Sequence, residues 1–293
     1  MAELRAGVIG LGVMGRNHAR ILSSLPGVAL VGIVDPIEDA EEYHGQLMRS
    51  TEELLAKGVD YCFVAVPTSL HKDVGLLLAS SGVHALIEKP LAGDVASATV
   101  LTEAFEASGL VGAVGHIERY NPALQQARQR IEGGELGQIY QIVTRRQGPF
   151  PDRIADVGVV KDLATHDLDL TTWIARQPYV SVSARTANRT GREHEDLVNI
   201  VGELANGVVS SHTVNWLSPF KERRTVISGE RGALVADTLT ADLTFYANGS
   251  VQSEWEDMAL FRGVSEGDVV RYAIPKPEPL RVEHEVFRDA VLG

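Results

Sequence analysis

Two sets of residues in this chain have the types and spacing that chemistry needs. The first is Gly10, Gly12 and Gly15, which fit G-x-G-x-x-G between the apolar pair Val8-Ile9 and a helix-like stretch, His18 to Leu25. In a strand–turn–helix setting this motif predicts dinucleotide binding. Gly10 permits the tight turn, Gly12 lets a pyrophosphate approach the backbone, and Gly15 lets helix and strand pack closely. Val13 and Met14 complete the turn, and the helix start offers N–H groups and a positive dipole end to phosphates. A second apolar run, Val28 to Val34, ends in Asp35-Pro36. An acid at that distance accepts hydrogen bonds from the adenosine ribose hydroxyls and repels a 2′-phosphate, so NAD is expected rather than NADP.

The second set lies further on. The turns Val66-Pro67-Thr68-Ser69-Leu70-His71 and Ile87-Glu88-Lys89-Pro90 each follow an apolar run and are expected at the carboxyl ends of parallel strands. Pro67, Thr68, His71 and Glu88 should border the nicotinamide half of the cofactor. Lys89 precedes proline and is held extended. A lysine projecting into a cofactor cleft donates to a substrate hydroxyl and relays its proton; the commoner fate of a lysine is a solvated surface. Asp162 and His166 are four apart in a helix-like stretch from Lys161 to about Arg176, so they should share a face, with Asp169 on the same side. There His166 serves as a base and Asp162 orients it or the substrate; the plainer reading is a surface pair. No third ligand stands at metal-like spacing and no cysteine partner is at hand, so no metal is expected.

These residues need a scaffold, and the hydrophobic pattern supplies one. The chain has 293 residues, 44% hydrophobic and 23% charged, which suits a globular protein of two domains. Its net charge of −12 argues against nucleic acid or anionic membranes as general partners. Cys62 is the single cysteine, set in the apolar run Tyr61 to Val66, and reads as a core thiol. Nothing resembles a signal peptide or a membrane span, so a cytoplasmic location is expected. Short apolar runs at 6–10, 28–34, 60–66, 84–88 and 110–115 alternate with helical patterns at 15–25, 51–57, 70–81 and 94–107. This predicts a doubly wound parallel sheet.

After Gly115-His116 the pattern changes. Asn121-Pro122 opens a helix to about Ile131, and a strand is expected from Ile139 to Arg146 before a loop to about Val160. Six strand-like segments follow between 179 and 246, with hairpin signals at Asn206-Gly207 and Asn248-Gly249, and residues 281–292 look helical. The expected fold class is α/β: a Rossmann domain over 1–118, then an α+β domain over 119–293 with an open, mostly antiparallel sheet.

In this order the motifs resemble the Gfo/Idh/MocA family (glucose–fructose oxidoreductase, inositol dehydrogenase, rhizopine catabolism). They are Gly10-x-Gly12-x-x-Gly15-x-x-His18, Asp35, Pro67-Thr68-x-x-His71, Glu88-Lys89-Pro90 and Asp162-x-x-x-His166. The resemblance implies hydride transfer between a sugar alcohol and NAD, with Lys89, Asp162 and His166 lining the pocket. Arg119-Tyr120-Asn121-Pro122 and Gly148-Pro149-Phe150-Pro151 resemble the subgroup that oxidises C3 of UDP-linked N-acetylhexosamines or hexuronates. It implies a substrate site with Arg119, Tyr120, Asn121, Arg145 and Arg153, and Arg146 beside them; arginine forks suit a diphosphate on an acidic protein. Ordinary sheet-surface arginines are the alternative.

Two departures stand out. Val157-Gly158-Val159-Val160 replaces a Gly-Gly-Gly run, and Lys161 replaces an apolar residue before Asp162. The resemblance further implies a homodimer or homotetramer and additional chain beyond Gly293. A dehydrogenase of a free polyol or aldose, and a non-catalytic NAD-binding sensor, are the two rival functions.

Overall fold

The computed structural model describes residues 3–37, 43, 45–151, 157–249 and 267–293. They form two compact units, Met1–Ile117 with Glu278–Gly293, and Glu118–Pro277.

The first unit alternates strand and helix: β1 (Leu4–Ile9), α1 (Val13–Leu22), β2 (Val28–Val34), β3 (Leu47–Met48), α2 (Thr51–Ala56), β4 (Tyr61–Val64), α3 (His71–Ser80), β5 (His84–Glu88), α4 (Val95–Ala107) and β6 (Gly112–Gly115). The strands lie in the order β3-β2-β1-β4-β5-β6, all parallel. The central strands are apolar runs because helices cover both faces. One face buries Val8, Ile33, Phe63 and Leu86, and the other buries Ile9, Cys62, Val64 and Ile87. Two helix starts carry local caps: Ser50 accepts from the Glu53 amide, and Asp94 from the Ser97 amide at 2.8 Å. The Cys62 thiol is wholly buried, which pushes its pKa up to about 12.

The second unit contains α5 (Pro122–Glu132), β7 (Ile139–Pro149), α6 (Thr165–Ala175), β8 (Tyr179–Ala187), β9 (Leu197–Leu204), β10 (Val209–Asn215), β11 (Leu217–Gly229), β12 (Gly232–Asp237), β13 (Asp242–Ala247) and β14 (Val269–Tyr272). Its sheet runs β14-β13-β12-β11-β7-β10-β9-β8. Every pairing is antiparallel except β7 with β10. Asn206-Gly207 joins β9 to β10 as a hairpin, Gly207 taking a φ of 80°. Asn248-Gly249 is not a two-residue hairpin, since β14 begins only at Val269. Leu124, Ala127, Leu170 and Ile174 of α5 and α6 pack on Ile142, Ile227, Leu234 and Leu243 of the sheet.

The last helix, α7 (Pro279–Leu292), corrects the expected division at 118 and 119. Its Phe287 sits edge-on against Tyr61 and Phe63 of β4, at 5.6 and 5.5 Å between ring centroids. Burying that aromatic face places the helix in the first unit rather than with the sheet that precedes it.

Candidate active site

The glycine turn is built as dinucleotide binding requires. Gly10 has a φ of +94°, and a Cβ there would lie 2.6 Å from the Ala65 carbonyl oxygen. A Cβ on Gly15 would fall 1.8 Å from the Gly10 oxygen, so only glycine allows α1 to start so close to β1. A Cβ on Gly12 would meet nothing within 4 Å: the space above the turn is open where a pyrophosphate lies. Gly12 is also the N-cap of α1 and supplies no capping side chain, leaving the helix start to a ligand. Val13 is exposed and Met14 half-buried beside it.

Asp35 follows β2, and its Oδ2 accepts from the Leu11 amide at 2.8 Å, which holds the carboxylate next to the glycine turn. Its Oδ1 accepts from the Ile37 amide at 2.9 Å. These residues fit NAD.

The turns after β4 and β5 lie on the same edge of the sheet. Pro67 and Thr68 open a short 3-10 turn, Thr68–Leu70, before α3. His71 is buried, and its two ring nitrogens lie 2.9 Å from the carbonyl oxygens of Val66 and Pro90. It ties the two turns together from within and is a structural bridge between them. Glu88 is buried at the end of β5. Lys89 is half-buried, and the Lys89-Pro90 bond is cis, a point the sequence left open.

The second unit carries Asp162 and His166, with a difference from the expected plain helix. Val160–Ala164 forms a π turn, and α6 begins only at Thr165. Asp162 lies within the wider turn and His166 in the first turn of α6. Glu195 fixes this entry: its carbonyl accepts from the Val159 amide at 2.9 Å and its Oε1 from the Val160 amide at 3.1 Å. A Cβ at position 158 would lie 2.1 Å from the Glu195 carboxyl. The one glycine kept in Val157-Gly158-Val159-Val160 is the one against which the Glu195 carboxyl lies.

The expected arginine cluster is largely spoken for. Strand alternation in β7 sends Arg145 to the exposed face and Arg146 to the opposite, helix-covered one. Arg146 is buried between Glu118 Oε1 at 2.7 Å and Asp167 Oδ2 at 3.0 Å. It is an internal ion-pair hub, not a phosphate ligand. Arg119 donates two hydrogen bonds to Asp169. Asn121 is buried as the N-cap of α5: its Oδ1 accepts from the Ala123 amide and its Nδ2 donates to the Thr238 carbonyl. Tyr120 is half-buried in the 3-10 turn Ile117–Tyr120. Arg153 lies outside the described residues.

A residue missed at the sequence level is Arg223 of β11, paired across the sheet with Arg146. Its pKa is lowered first by burial and then by Arg146, while Glu118, Asp167 and Asp162 oppose the shift. Its signal was the charged run Lys221-Glu222-Arg223-Arg224 inside a strand pattern.

Comparison with known proteins decides the family. The signature of the oxidoreductase family with an NAD-binding Rossmann fold covers residues 4–116, and that of the GFO/IDH/MocA C-terminal domain covers 124–235. The chain is a Gfo/Idh/MocA oxidoreductase. UDP-N-acetylglucosamine 3-dehydrogenase of Acidithiobacillus ferrooxidans is 33% identical over 85% of this chain and 79% of its own. A solved structure of that enzyme matches with a TM-score of 0.87 and 30% identity, covering 100% of this chain and 90% of the other. The NAD-dependent scyllo-inositol 2-dehydrogenase of Bacillus subtilis is 28% identical over 81% and 75% of the two chains. GenD2 from gentamicin A biosynthesis, solved with NAD, matches at a TM-score of 0.80 and 25% identity over 100% and 87%. This family member is therefore an NAD-binding oxidoreductase among sugar and polyol dehydrogenases.

Among the described residues no group of histidines, cysteines and acids could hold a metal ion, and no helix is long and apolar enough to cross a membrane.

Proposed function

We propose that this family member oxidises a secondary alcohol of a nucleotide-linked sugar, C3 of a UDP-N-acetylhexosamine, with NAD. The observation that carries the reading is the 33% identity to UDP-N-acetylglucosamine 3-dehydrogenase over 85% of the chain. Bound NAD supplies the hydride acceptor. Lys89 donates to the substrate oxygen and steadies the charge that develops there. His166 takes the hydroxyl proton, and Asp162 orients the reacting group. Arg119, through the N–H groups that do not face Asp169, and Tyr120 serve the diphosphate, joined by Arg223. Arg145 and Asn121 do not belong to this set: one sits on the far face of the sheet, the other caps a helix.

A free polyol is the second reading, favoured by the scyllo-inositol relative at 28% identity. Reduced-cofactor absorbance with UDP-N-acetylglucosamine, myo-inositol and glucose separates them. Turnover with the UDP-sugar, abolished in Lys89→Ala and His166→Ala with NAD affinity retained, is the expected result. Turnover on the free sugars alone selects the second reading, and NAD binding without turnover on any of them selects a sensor.

The same reading makes the protein a cytoplasmic homo-oligomer. Its support is the sheet face away from the helices, where Val235, Val226 and Val143 are directly cross-strand neighbours and Val201 continues the row past Ser211. An apolar row on an uncovered sheet face suits a second copy. Light scattering on the purified chain tests it.

A further inference from the structure

Beneath the β5 turn of the first unit lies a chain of buried polar groups that the mechanism above does not use. His284 of α7 and His18 of α1 are wholly buried, with His284 Nε2 2.9 Å from His18 Nδ1. His18 Nε2 lies 3.0 Å from Glu88 Oε1. Glu88 Oε2 in turn accepts from the backbone amide of Lys89 at 3.3 Å. Phe63 clamps the chain from the side, stacked on His284 at 3.8 Å with 12° between the ring planes. Gly115 leaves the Glu88 carboxyl little room, since a Cβ there would stand 3.1 Å from it.

We propose that His284 and His18 are positioning residues for Lys89, holding the Glu88 carboxylate that fixes the Lys89 backbone at the rim of the cofactor site. The inference rests on the reading of Lys89 as the proton-handling group. Proton placement follows from the geometry. Glu88 Oε1 accepts, so His18 Nε2 carries the proton; His18 Nδ1 then accepts, so His284 donates from Nε2. The remaining atom, His284 Nδ1, has no hydrogen-bond partner among the described residues. This assignment leaves it a bare lone pair instead of a stranded N–H. Burial and the neighbouring His18 and Arg20 push the His284 pKa down to about 2, in accord with a neutral ring. The sequence hides this link, because Glu88 and His284 are far apart in the chain and α7 looks like an ordinary amphipathic helix.

The test compares His284→Phe, which keeps the stack on Phe63 but loses the donor, with His284→Gln, which keeps an N–H near the same place. His284→Phe should lower kcat about tenfold with KM and NAD affinity held, while His284→Gln stays within about threefold of the parent. In a Lys89→Ala background His284→Phe should cost nothing more. Nitrogen-15 spectra of the parent should place the proton on Nε2 of both rings, and the Lys89 amide resonance should move in His284→Phe but not in His284→Gln. A proton on His284 Nδ1, an unmoved Lys89 amide, equal loss in both variants or an additive loss with Lys89→Ala overturns the proposal. If the parent turns over no sugar, the functional reading falls, and the spectra still decide whether the chain holds Lys89. If His284→Phe does not fold, the parent's ring tautomers decide.

Discussion

Glu283 offers a sharp test of the buried chemistry in the first unit. Its side chain is wholly buried on α7, and neither carboxyl oxygen has a hydrogen-bond partner among the described residues. Burial first, and the facing Glu88 second, raise its pKa from 4.5 to about 8. In the unfolded chain the group ionises at its ordinary value, so between these two values the folded state holds more protons than the unfolded one. Stability is therefore fully present below pH 4.5 and is lost as the pH rises toward 8, at about 1.4 kcal/mol per pH unit. By pH 7 the loss from this one side chain is about 3 kcal/mol, a sizeable part of a domain's net stability. Glu283→Gln cannot ionise and removes that slope. Urea unfolding of both proteins at pH 5, 6, 7 and 8 should show the variant gaining on the parent by about 1.4 kcal/mol per unit. The background titration of His284 and His212 is common to both, so it drops out of the difference. A difference that stays flat across this range would refute the reasoning.

Four other substitutions probe the site. Gly15→Ala should unfold the first unit or abolish NAD binding, because its Cβ has nowhere to go, whereas Gly12→Ala should keep the melting temperature and weaken NAD about tenfold or more by filling phosphate space; calorimetry and titration read the two apart. Asp35→Ser should weaken NAD about tenfold and narrow the preference over NADP, read by fluorescence titration with each cofactor. Arg146→Met leaves the buried Asp167 and the half-buried Glu118 without their hydrogen-bonded cation and should cost about 3 kcal/mol in urea unfolding at pH 7. Burial has already raised the Asp167 pKa, so in that variant the carboxyl is neutralised readily and the deficit should shrink as the pH falls.

The sequence exposed the parts of this structure whose physics is local. The glycine turn, the Asn121-Pro122 helix start and the alternation in β9 each express themselves within a few residues. Tertiary pairing is another matter. Arg119 and Arg146 look alike in a sequence, and only the fold reveals that Asp169 and the pair Glu118–Asp167 have claimed them. The π turn at Val160–Ala164 was hidden because its cause, Glu195, lies some thirty residues downstream. Strand β14 is short and exposed at the sheet edge, so its hydrophobic signal was too weak to register. Helix α7 was recognised as a helix but assigned to the wrong unit, since periodicity shows that a face is apolar and not what covers it.

That last point has a consequence for synthesis on the ribosome. Residues up to 117 of the first unit are made before the second, yet the aromatic surface of Tyr61 and Phe63 lacks its α7 cover until residues 278–293 have been made. Translation of the whole intervening sheet falls between the two events. A nascent chain of this kind spends that interval with a sticky flank, and holding chaperones gain their longest window there.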